Sequence, residues 1–154
     1  MRRVHMVLAL VVCVALTTLS AADDPFTGTW RMNVAKSKYE PGPAPENATV
    51  TIQSDGTTST VKAESSFEGK PYTTTYSVKL DGTPGPLQGS PVADMVSVKK
   101  VDDRTRELKT MKGTKTIGES RATVSADGKT VTVVGSGMNP KGDKNKFTAV
   151  YDRQ

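Results

Sequence analysis

A chain with one histidine, His5, and one cysteine, Cys13, has little material for catalysis. Both fall in residues 1–22, which read as a secretory leader. Arg2 and Arg3 form its charged region, Met6 to Leu19 its apolar run, and Ser20-Ala21-Ala22 its small-residue cleavage site. The run falls short of the roughly 20 apolar residues that a membrane span needs. Cleavage after Ala22 is expected to leave residues 23–154 without histidine or cysteine. Ser-His-Asp and Cys-His catalysis, thiolate or imidazole zinc sites, thiol redox work and haem ligation by histidine are then all excluded. No metal site and no cofactor are expected, and without a disulfide the core alone must hold the domain.

The other patterns that could do chemistry fail on geometry. Ser97-Val98-Lys99-Lys100 has Ser-x-x-Lys spacing, but that pair works from one helix face, and on a strand positions i and i+3 point to opposite sides. Gly135-Ser136-Gly137 lacks the third glycine and the helix of a dinucleotide loop. Asp23-Asp24 and Asp102-Asp103 fall at an expected frayed start and in a turn, where acids are usually solvated. The mature domain is not expected to be an enzyme. The remaining candidates are ligand-binding side chains: the phenols of Tyr72, Tyr76 and Tyr151, with Arg106 and Arg121 as groups that would meet an acidic ligand if they pointed inward.

Strands must position them. Phe26, Gly28, Trp30 and Met32 share one face of a first strand at period two, and Trp30 is the single tryptophan of the chain. Asn33 to Glu46, with Pro41, Gly42, Pro43 and Pro45, reads as a long loop without helix. Short alternating segments rich in Thr and Val follow, separated by turns such as Asp55-Gly56, Gly69-Lys70, Lys112-Gly113 and Asp127-Gly128. The clearest is Tyr72, Thr74, Tyr76, Val78 and Leu80 on one face. A Gly/Pro-rich excursion from Asp81 to Pro91 leaves room for a short edge strand near Leu87, and Lys99-Lys100 breaks phase as a bulge would.

About nine strands joined by hairpin turns predict an all-β domain over residues 23–154. Its architecture would be an antiparallel up-and-down β-barrel with the first and last strands paired, which hides both sheet edges. A two-sheet sandwich is the alternative, but only residues 33–46 could supply the long crossover it needs. The apolar parity would turn Phe67, Tyr72, Tyr76, Val78, Val96, Val98, Leu108, Phe147 and Tyr151 inward. With few large aliphatics, either a small cavity or a filled interior would result.

Phe26-Thr27-Gly28-Thr29-Trp30-Arg31-Met32 resembles the opening strand of the lipocalin and fatty-acid-binding-protein superfamily, and Ala149-Val150-Tyr151-Asp152-Arg153 is similar to its closing strand. Together they bracket the mature chain. The resemblance implies a lipocalin-like barrel in which Phe26, Gly28 and Trp30 build one end and Arg153 packs over Trp30. Departures limit it. The Pro-rich segment stands where fatty-acid-binding proteins have two helices, and Ala149 stands where they hold a carboxylate with arginine. The C-terminal helix and disulfide of secreted lipocalins are missing. The likeness is best to short secreted bacterial lipocalin-like domains.

Charge adds one exclusion. The chain carries 21 basic and 16 acidic residues, a net of +5 that includes Arg2 and Arg3 of the leader. Its lysines and arginines are interspersed with acids, which reads as a solvated surface and not a nucleic-acid footprint. The expectation is therefore an exported, periplasmic or extracellular monomer, with no membrane insertion after processing, that binds a small apolar or amphipathic molecule. A protein-binding module such as a protease inhibitor is the rival, presenting Asp23 to Phe26 and residues 33–46.

Overall fold

The computed structural model describes residues 23–154, so the expected leader, with His5 and Cys13, lies outside the described residues. Eleven strands make one sheet: β1 (Gly28–Met32), β2 (Lys38–Glu40), β3 (Asn47–Ser54), β4 (Thr58–Phe67), β5 (Lys70–Lys79), β6 (Gly85–Pro86), β7 (Met95–Asp102), β8 (Thr105–Lys112), β9 (Lys115–Val124), β10 (Thr130–Met138) and β11 (Lys144–Arg153). Their order is β5-β4-β3-β1-β11-β10-β9-β8-β7-β6, every pair antiparallel, with β2 added on β11. First and last strands pair directly, Trp30 opposite Arg153.

The two ends of this path meet. Lys100 N–H donates to Leu80 O at 2.8 Å and Gly82 N–H to Val98 O at 3.0 Å, while Thr75 and Gln88 exchange backbone bonds at 3.1 and 3.0 Å. The result is a nearly closed antiparallel barrel, with no need for a second sheet. Its outer face carries the exposed ion pairs Lys62–Glu64, Lys109–Glu119 and Arg121–Glu107.

Two readings of the sequence need correction, and a third needs a small shift. Residues 33–46 are not all loop: Val34–Lys36 form a 3-10 turn and β2 follows, pairing Tyr39 with Phe147 of β11. Three residues are too few to show a period, so tertiary pairing decided them. The irregularity in β7 falls between Lys100 and Asp102, just past the expected Lys99-Lys100 and before the turn. Asp24 is not frayed. Its side chain is only 6% exposed and is bound to Arg106.

Phe26 and Trp30 pack with Ala122, Val124 and Val131 to fill the end of the barrel where β1 begins. Trp30 is 1% exposed, and its indole N–H donates to Phe26 O at 2.8 Å, so this large ring is buried without an orphaned donor. Over it lies the Arg153 guanidinium, 4.1 Å from the ring centroid. Arg153 also donates from Nη1 to Thr27 O, from Nη2 to Pro25 O and from Nε to Gly128 O, each at 2.7 Å. Gly28, at φ +137°, makes room for this: a Cβ there would stand 2.5 Å from Arg153 Nη1.

Candidate ligand cavity

Above that floor the barrel encloses a cavity of about 290 Å³. Period-two alternation lines it: Ser59, Val61 and Ala63 from β4, Arg106 and Leu108 from β8, Val131 and Val133 from β10, and Phe147, Ala149 and Tyr151 from β11. Phe26 and Trp30 form its base, while Tyr39 and Tyr76 complete the wall. Tyr39 stacks on Phe147 with centroids 5.5 Å apart. It stands where the sheet splits, since β1 lies between β11 and β3 whereas β2 keeps only β11 as partner.

The wall is apolar except at a few points. Burial raises the phenol of Tyr39, with the neighbouring Tyr151 adding to the effect, and pushes Tyr76 and Tyr151 up to about 12. For Tyr76 the Arg106 charge works weakly against burial. No hydrogen bond holds any of these three hydroxyls among the described residues, yet no buried polar atom is sealed away without a partner. Each hydroxyl therefore stays accessible to a water-sized molecule, protonated and able to donate.

Arg106 is the charged group of the wall, and it is 4% exposed. Its Nη2 donates to Asp24 Oδ2 at 2.6 Å and to Ser54 Oγ at 3.1 Å, and its Nη1 to Ser59 Oγ at 3.2 Å. Its Cζ lies over the Phe26 ring, 4.1 Å from the centroid. Asp24 is held in turn: Oδ1 accepts from Phe26 N–H at 3.0 Å, and Oδ2 accepts from Ser54 Oγ at 2.7 Å. Burial lowers the Arg106 pKa and the Asp24 charge raises it, the first effect being larger.

Of the five ligand-binding candidates, the barrel brings Tyr76, Tyr151 and Arg106 to one cavity. Tyr72 and Arg121 are corrections. Tyr72 shares the parity of Tyr76, but it sits two residues into β5, beside the hairpin at Glu68-Gly69 and beyond the cavity. Arg121 points outward and donates to Glu107 Oε1 at 2.7 Å on the surface. Its neighbours Ala122 and Val124 are the buried parity of β9. Sequence reasoning missed Tyr39, Ser59 and Asp24. Only Ser59 left a trace, as the polar member of the series that includes Val61 and Ala63.

The arrangement can hold a small molecule by apolar contact and donate hydrogen bonds to it. Among the described residues no cluster of histidine, cysteine, aspartate or glutamate could hold a metal ion. Compared with family models and with curated proteins, the chain matches none.

Proposed function

We propose that this chain is an exported, non-enzymatic, lipocalin-like carrier that takes one small, partly apolar molecule inside its barrel. The observation that carries this reading is the cavity itself, apolar on most of its wall and furnished with three phenol hydroxyls that no protein group engages. A ligand that displaces water from such hydroxyls must bond to them in its place, and one with oxygen or nitrogen atoms does so. An apolar cavity of about 150 Å³ is known to take benzene, so 290 Å³ suits a body of two rings or an equivalent chain.

The lipocalin resemblance supports this reading through the Arg153–Trp30 stack, and the leader supports export. The rival reading, a protease inhibitor or similar protein binder, loses part of its contact surface. Asp24 and Phe26 are built into the floor of the barrel instead of standing free.

Fluorescence titration with 1-naphthylamine, an apolar dye of two fused rings, tests the carrier reading. Wild type should bind one dye per chain, and Ala63→Phe, which projects a ring into the cavity from β4, should abolish binding while leaving a cooperative unfolding transition. A wild type that binds no dye, or an Ala63→Phe variant that binds it as well, would remove the interior site and favour the surface binder.

A further inference from the structure

We propose that Asp24 sets the ligand's chemical class: by engaging Arg106 at the cavity floor it makes the barrel a site for neutral, hydrogen-bond-accepting molecules and turns carboxylates and sulfonates away. This rests on the carrier reading above and adds a specificity-determining residue to it.

An arginine facing an apolar cavity would ordinarily recruit an anion, because a desolvated guanidinium without a partner is costly. Here the partner is already present. The pair is buried on both sides, at 5% and 6% side-chain exposure, with nitrogen and oxygen 2.6 Å apart. An incoming anion would meet the Arg106 charge with the Asp24 charge directly behind it, so its net attraction is small, while it must still shed its own hydration. Displacing Asp24 would be harder still. The carboxylate is tied to Phe26 N–H and Ser54 Oγ, and the backbone carbonyl of Asp24 closes the turn by accepting from Thr27 N–H at 2.8 Å.

A cation gains no better. The floor's carboxylate is spent on Arg106, and the rest of the wall offers Tyr39, Tyr76, Tyr151 and Ser59 but no second acid. What those groups offer a ligand is donated hydrogen bonds from phenols embedded among Val, Ala, Leu and Phe side chains. Hydroxyl, carbonyl and ether oxygens on a small apolar body match that set.

1-Naphthylamine and its 5-sulfonate share one two-ring aromatic body and differ by one sulfonate group. Binding counts as interior only where Ala63→Phe removes it. Wild type should favour the neutral dye by about tenfold or more, and Asp24→Asn, which leaves Arg106 unpaired, should move the ratio toward the sulfonate by about tenfold or more. The double variant Asp24→Asn/Arg106→Met should keep the neutral preference, and it decides the matter should the single variant fail to fold. A wild type that takes the sulfonate as well as the neutral dye overturns the assignment. So does a folded Asp24→Asn with an unchanged ratio, or a double variant that gains the anion. A wild type that binds neither dye sinks the carrier reading itself, and the assignment with it.

Discussion

Replacing Gly28 with alanine should damage the barrel by two routes that a mutant cycle separates. The first is backbone strain: at φ +137° an L-residue sits in a region that essentially only glycine occupies, which costs about 1 to 3 kcal/mol. The second is eviction of Arg153. A Cβ at position 28 would lie 2.5 Å from Nη1, so the guanidinium must swing away and give up its bonds to Thr27 O, Pro25 O and Gly128 O and its seat over Trp30. These contacts are solvent-exposed, so the stack contributes about 0.5 to 1 kcal/mol and the three charged bonds together roughly a further 1 kcal/mol. Gly28→Ala should therefore cost about 2.5 to 5 kcal/mol, and Arg153→Met about 1.5 to 2 kcal/mol. If eviction is real, the double variant loses little beyond Gly28→Ala, and the coupling is about 1.5 to 2 kcal/mol. Urea unfolding followed by the fluorescence of Trp30, the only tryptophan, measures all four corners of the cycle. Additive losses, with coupling under about 0.5 kcal/mol, would refute the shared mechanism.

Two other outcomes follow from the same residues. Below pH 10 the cavity phenols are protonated in folded and unfolded chains alike. Between about 10 and 12 the unfolded chain ionises its tyrosines while folded Tyr76 and Tyr151 hold their protons, so stability falls with rising pH. Each tyrosine contributes at most roughly 2 to 3 kcal/mol to that fall. Tyr76→Phe and Tyr151→Phe should each flatten the alkaline limb relative to wild type while changing stability at pH 7 by little. Parallel limbs in wild type and both variants would show that these phenols are not buried. Exported protein should begin at Asp23, as N-terminal sequencing of secreted material would show, and retention of residues 1 to 22 there would end the leader assignment.

The barrel was legible because its cause is local. Alternation along β5, β8 and β11 sets the inward face wherever one face must be apolar, and Asp-Gly or Lys-Gly turns set where each strand ends. Arg106 and Arg121 both stand as inward candidates in the sequence; the fold separates them, the first sharing the parity of Leu108 and the second opposing the buried Ala122 and Val124. Where the cause is non-local, the sequence is silent. β2 is a strand only because β11 runs past the end of β1 and offers Phe147 to Tyr39. Nothing in Lys38-Tyr39-Glu40 announces it.

Asp24 is the sharpest case. An acid two residues past an expected cleavage point reads as solvated, because its partner lies 82 positions along the chain. Arg106, read alone, promises an anion site. Only the barrel's closure, which brings the start of the chain under β8, turns these two ordinary residues into one neutral floor. Breaking such a buried pair from one side strands a charge, whereas removing both charges together costs far less. Parity identifies which side chains face the cavity, but the charge that the cavity presents depends on a contact between residues 82 positions apart in the chain. A small barrel can therefore keep the apolar pattern of its strands unchanged and still exchange one class of ligand for another through a single residue at its floor.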